Sequence, residues 1–78
     1  MKQIGVLLVE DHAIVRQGLR LILEREEDIT VVGETSNGED AYRIAKELRP
    51  NVAVMDIGLP GTDGIETTKR IRTELPET

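Results

Sequence analysis

Ile4-Gly5-Val6-Leu7-Leu8-Val9, followed at once by Glu10-Asp11-His12, is the stretch that decides the fold. Six nearly continuous apolar residues are too few for a buried helix, and the run is rich in β-branched side chains. A strand covered on both faces reads this way, because helices on either side of a parallel sheet leave no polar face. Two further runs have the same character. Thr30–Glu34 carries Val31 and Val32 at its centre, and Val52–Met55 ends at Asp56.

Between these runs the apolar period lengthens. Val15, Leu19, Ile22 and Leu23 fall on one helical face, and Arg16, Gln17, Arg20 and Glu24 lie mostly off it. Ala41, Ile44, Ala45 and Leu48 follow at i, i+3, i+4 and i+7. Asn37 is the expected N-cap of that second helix, Glu39 and Asp40 suit its first turn, and Pro50 stops it. A third helix is expected from about Gly64 to Glu74, with Asp63 as N-cap, Glu66 three residues on, a thin stripe of Ile65, Ile71 and Leu75, and Pro76 as terminator. The order βαβαβα predicts an α/β chain built on a parallel sheet with right-handed crossovers.

Composition narrows the possibilities. The chain has 78 residues, enough for at most one domain, and such a chain buries only about 60% of its unfolded surface. It has no cysteine, so no disulfide supports it, which fits a reducing compartment. With one Tyr, no Phe and no Trp, the core must be made of Val, Ile, Leu and Ala. A net charge of −5 repels a phosphate backbone, so this segment is not expected to bind nucleic acid. No apolar run approaches the ~20 residues of a membrane span, and the first run has acids where a signal peptide has its cleavage site. The expectation is a cytoplasmic chain.

Function in open α/β sheets gathers at the carboxyl ends of the strands. Glu10 and Asp11 follow the first strand and Asp56 ends the third. If those strands are neighbours, three carboxylates converge and repel, a conflict that a divalent cation removes. Mg²⁺ suits two or three carboxylates, because it prefers oxygen and keeps several waters. A carboxylate beside it can attack phosphorus. Asp56 is the expected nucleophile, with Glu10, Asp11 and the Gly58 carbonyl holding the metal. Against this stands a plainer reading in which Asp11 caps a helix and Asp56 closes a turn. His12, the only histidine, is expected to open the first helix, Tyr42 to face solvent, and Arg16, Arg20 and Arg25 to form a solvated face.

Val9-Glu10-Asp11-His12 with Val15-Arg16-Gln17-Gly18-Leu19 resembles the start of response-regulator receiver domains. Val32-Gly33-Glu34 with Asn37-Gly38-Glu39-Asp40-Ala41 is similar to the same family. So are Val54-Met55-Asp56-Ile57-Gly58-Leu59-Pro60-Gly61 and Asp63-Gly64-Ile65-Glu66. The resemblance covers the whole chain and looks especially like the NarL/FixJ subfamily. It implies a flavodoxin-like sheet of five strands, three of them here in the order 2-1-3. It implies phosphotransfer from a histidine kinase to Asp56 with Mg²⁺ held by Glu10, Asp11 and Asp56, and kinase docking near Ala13, Ile14 and Gln17. It implies a phosphoacceptor rather than an enzyme. Members usually regulate transcription through a C-terminal helix-turn-helix domain, and residues 1–78 hold none of it. Residues 1–78 therefore read as a truncated receiver without an output domain.

Glu10 stands where many relatives have Asp, and Leu59 where many have Met. The family's Ser or Thr after strand four and Lys after strand five have no counterpart, since Thr62, Thr67, Thr68 and Lys69 belong to other elements. Strand three is left as a bare sheet edge, which invites a homodimer or a strand-swapped oligomer. Two rivals remain. A phosphohydrolase with an Asp nucleophile would carry Asp-x-Asp, and position 58 is Gly. A non-switching fragment acting only as an interaction or dimerisation module would keep its partners without being phosphorylated.

Overall fold

Leucine and valine on both faces of a strand need cover on both sides, and the central strand has it. A computed structural model describes residues 3–56 and 64–78. Along them run β1 (Ile4–Val9), α1 (Ala13–Leu23), β2 (Ile29–Thr35), α2 (Gly38–Leu48), β3 (Val52–Met55) and α3 (Gly64–Glu74). The three strands form one parallel sheet in the order β2-β1-β3. This is the expected βαβαβα arrangement with strand order 2-1-3. The Asp63 cap and the loop containing Gly58 lie outside the described residues.

Leu7 and Val9 point to the face covered by α2 and α3. There they form a core with Ala41, Ala45, Ile71 and Leu75, and Tyr42, Ile44, Ala53 and Met55 pack around it. Val6 and Leu8 alternate onto the opposite face and are also buried. Gly33 lets α2 come close: a Cβ there would lie 3.1 Å from both Ile44 Cγ2 and Leu48 Cδ1. The β1–β2 register slips at this point, with Val6 opposite Val31 and Leu7 opposite Gly33, so Val32 is an extra residue.

The α2 cap is the expected one. Asn37 Oδ1 accepts the Asp40 N–H at 2.9 Å, and the helix closes with Arg49 in the left-handed region at φ 50° before Pro50.

Three expectations need correction. α1 is helical where predicted, yet none of its residues is buried. Its main contacts are with β1 and β2. Leu19 and Leu23 are half-buried there, while Val15 and Ile22 stay exposed. Val52 and Val54 of β3 share that sheet face and are exposed too. In α3 the inward stripe is Gly64, Thr67 and Ile71, continued by Leu75 just past its end, and Ile65 is 50% exposed. Ile65 lies six residues before Ile71, about 120° off its face at 3.6 residues per turn. Tyr42 is half-buried rather than solvent-facing. Its hydroxyl donates to Glu74 at 2.7 Å, and the Arg70 guanidinium lies 3.7 Å from the ring centroid, which ties α2 to α3.

Among the described residues, no helix is long and apolar enough to cross a membrane.

Candidate functional site

Parallel neighbours end on the same side of a sheet, so β1 and β3 deliver their next residues to one place. Val9 is level with Met55, and the Asp56 N–H donates to the Val9 carbonyl at 2.9 Å. On the other side the Glu10 N–H donates to the Thr35 carbonyl at 3.1 Å. The first residues beyond the strands are thus still held by ladder bonds. Side-chain donor atoms of Glu10, Asp11, His12 and Asp56 all lie within 4.8 Å of one another. The three acids are half-buried and the histidine is exposed.

Each member has a distinct local role. His12 is the N-cap residue of α1 but makes no side-chain cap bond. Glu10 serves that turn instead, its Oε1 accepting the His12 N–H at 3.1 Å and lying 2.7 Å from His12 Nδ1. Asp11 Oδ1 lies 3.1 Å from the same nitrogen without hydrogen-bond geometry, and it is buried with no donor. The Glu10 hydrogen bond, and then the Asp11 and Glu10 charges, hold the His12 imidazole above its ordinary pKa.

Arg16 departs from the expected solvated face, while Arg20 stays exposed on it. Arg16 Nη1 donates to the Glu10 carbonyl at 2.8 Å, and its Nε lies 3.5 Å from the Glu34 carboxylate. Arg20 Nη1 donates to Glu34 at 2.6 Å, and Arg20 Nε to Glu24 at 3.2 Å. Glu34 is level with Leu8 in the parallel register, so it sits beside the carboxyl end of β1.

The donor set is all oxygen apart from His12, as a hard divalent cation prefers. The buried Asp11 Oδ1 accepts no hydrogen bond and has only the exposed His12 imidazole beside it, and a buried carboxylate oxygen is costly unless something positive meets it. Glu10, Asp11 and Asp56 therefore fit Mg²⁺. Gly58, expected to add its carbonyl, lies outside the described residues. A groove of about 520 Å³ between α2 and α3, lined by Tyr42, Thr67, Arg70 and Glu74, takes in none of these acids.

Residues 6–78 match the family model of the response regulator receiver domain. The chain belongs to that family. This receiver is 50% identical over 74 residues to the transcriptional regulatory protein LiaR of Bacillus subtilis, covering 95% of this chain and 35% of that protein. It is 40% identical over 67 residues to the nitrate/nitrite response regulator NarL of Escherichia coli, covering 86% of this chain and 31% of that protein. The crystal structure of the response regulator domain of Thermotoga maritima CheB superposes with a TM-score of 0.92 at 40% identity, over 96% of this chain and 56% of that one. The receiver thus spans about a third of the length of the curated relatives it matches. The narrower likeness to NarL/FixJ-type regulators agrees with these matches, and the fold is that of receivers in two-component signalling.

Proposed function

We propose that this receiver accepts a phosphoryl group on Asp56 from a phosphohistidine of a sensor kinase, with Mg²⁺ held by Glu10, Asp11 and Asp56. The observation that carries the reading is the convergence of these acids from two strand ends, with one Asp11 oxygen buried and lacking a donor. An Asp56 carboxylate oxygen attacks phosphorus and forms a P–O bond. The N–P bond of the donor breaks, and its electron pair returns to the imidazole nitrogen. When bound, the cation offsets charge on the phosphoryl oxygens. The Gly58 carbonyl is proposed as a further ligand. Glu10 and Asp11 hold that site and Asp56 reacts, so the chain acts as a phosphoacceptor and not as an enzyme.

The kinase is proposed to dock at the start of α1, where Ala13, Ile14 and Gln17 are exposed beside the acids. Residues 1–78 are read as the first part of a receiver domain in a cytoplasmic parent. That parent regulates transcription, as LiaR does, and binds DNA outside this acidic segment.

The test is intact-mass analysis after incubation with Mg²⁺ and acetyl phosphate. A Mg²⁺-dependent phosphoryl adduct that disappears in Asp56→Asn supports the reading. An adduct that persists in Asp56→Asn removes it.

Exposed apolar residues favour a second reading. Ile14, Val15, Leu21 and Ile22 of α1 and Val52 and Val54 of β3 are uncovered, which suits an interaction module that forms a homodimer or a strand-swapped oligomer. Partner binding or self-association unchanged in Asp56→Asn, with no adduct on the wild type, would favour it.

A further inference from the structure

We infer that Arg16 is a positioning residue for the acidic site, and that Glu34 keeps its guanidinium engaged away from the acids. The inference rests on the reading that Glu10, Asp11 and Asp56 hold a divalent cation.

The direction in which Glu10 and Asp11 present their carboxylates depends on the peptide groups leaving β1. The Glu10 N–H is fixed on the Thr35 carbonyl. The Glu10 carbonyl begins the Glu10–Asp11 peptide, and Arg16 Nη1 donates to it at 2.8 Å. One side chain of α1 thus sets the peptide that carries Asp11. Arginine suits the position because its planar fork donates in two directions at once, here to the Glu10 carbonyl and toward Glu34. A lysine ammonium has one nitrogen for both.

Glu34 matters for a different reason. Arg16 and Glu34 are each only 24% exposed in their side chains, so solvent screens the pair less than a surface one. Arg20 donates to the same carboxylate and fixes it from the far side. Without Glu34, the acids next to the Glu10 carbonyl become the alternative acceptors for the Arg16 guanidinium. A guanidinium paired there would compete with the metal for the same oxygens. Arg16 therefore acts through the Glu10 carbonyl, and Glu34 makes its charge compatible with a cation site.

Outer-shell partners of metal ligands typically change affinity by about 10–100-fold when removed. The experiment is isothermal titration of the 78-residue chain with Mg²⁺, paired with thermal melting in chelator. It compares wild type, Arg16→Met, Arg16→Lys, Glu34→Gln, the Arg16→Met/Glu34→Gln double variant, and Asp11→Asn. Arg16→Met should raise the Mg²⁺ dissociation constant about tenfold or more, and Arg16→Lys should recover part of that. Glu34→Gln should also weaken binding, more at low salt than at high salt. The double variant should be no worse than Arg16→Met, because Glu34 acts through Arg16.

A role confined to packing would lower the metal-free melting temperature and leave the dissociation constant of the folded chain unchanged. That result in Arg16→Met overturns the inference. If Arg16→Met does not fold, wild-type affinity in both Arg16→Lys and Glu34→Gln overturns it. If wild type fails to bind Mg²⁺, or Asp11→Asn binds it equally well, the metal-site reading fails and the Arg16 inference falls with it. That failure is distinct, because it appears in the wild type and in Asp11→Asn.

Discussion

Thr67→Val should stabilise the protein, although it removes a polar group from a helix. Thr67 is 3% exposed, and its Oγ1 is buried without a hydrogen-bond partner. The folded state therefore carries a hydroxyl stripped of water with nothing in return, a cost of about 1–3 kcal/mol. Valine has nearly the same shape and a similar helix propensity, so it puts a methyl where the hydroxyl was and strains nothing. The expected gain is about 1–3 kcal/mol, and in a domain this small each kcal/mol raises the melting temperature by about 4–8 °C. The neighbouring Thr68 supplies the control. Its Oγ1 donates to the Gly64 carbonyl at 2.7 Å, so Thr68→Val should cost about 0.5–1.5 kcal/mol instead. Thermal and urea unfolding of the two variants check the pair. A loss of stability in Thr67→Val comparable with that in Thr68→Val would refute the reasoning, because Thr67 would then be hydrogen-bonded in solution.

Gly18→Ala should stabilise α1 by about 0.8–1 kcal/mol, since a Cβ there meets nothing within 4 Å and Gly is the poorer helix former; the urea midpoint reads it. Asn37→Ala removes the cap on the Asp40 N–H and should cost about 1 kcal/mol in the same assay. Glu74 gives a pH dependence. The hydrogen bond from Tyr42, and after it Arg70, holds its carboxyl below the usual glutamate value. A folded pKa depressed in this way adds stability above the unfolded value and loses it as pH falls through the folded value. The gap in stability between wild type and Glu74→Gln should therefore be widest near neutrality and close on acidification, as acid-unfolding curves would show.

The strands were legible because a buried parallel strand leaves an uninterrupted apolar run, and Ile4–Val9 and Val52–Met55 have the predicted bounds. β2 extends one residue beyond its expected limits at each end, to Ile29 and Thr35. The α2 stripe and its Asn37 cap were equally plain, because spacing and capping chemistry agreed. What the sequence hid depended on which neighbours each helix meets. Val15 and Ile22 have the right period for a buried stripe, but α1 rests on two strands and leaves them uncovered. Thr67 has polar chemistry that masks an inward position, four residues before Ile71 on the same face. Tyr42 and Arg16 owe their roles to partners far along the chain, Glu74 for one and Glu34 for the other, which no local pattern reveals. For the site, the clustering of Glu10, Asp11 and Asp56 followed from where the strands end. The Glu10 cap on His12 and the Arg16 bond to the Glu10 carbonyl did not.

The measurement that bears most directly on the central claim is reductive trapping of the phosphorylated chain. After reaction with acetyl phosphate and Mg²⁺, borohydride reduces an aspartyl phosphate to homoserine, and peptide mapping locates the converted residue. Conversion at Asp56, dependent on Mg²⁺ and lost in Asp11→Asn, is the expected result. Conversion at Glu10 or Asp11 with Asp56 unmodified, or labelling indifferent to Mg²⁺ and to Asp11→Asn, would contradict the account.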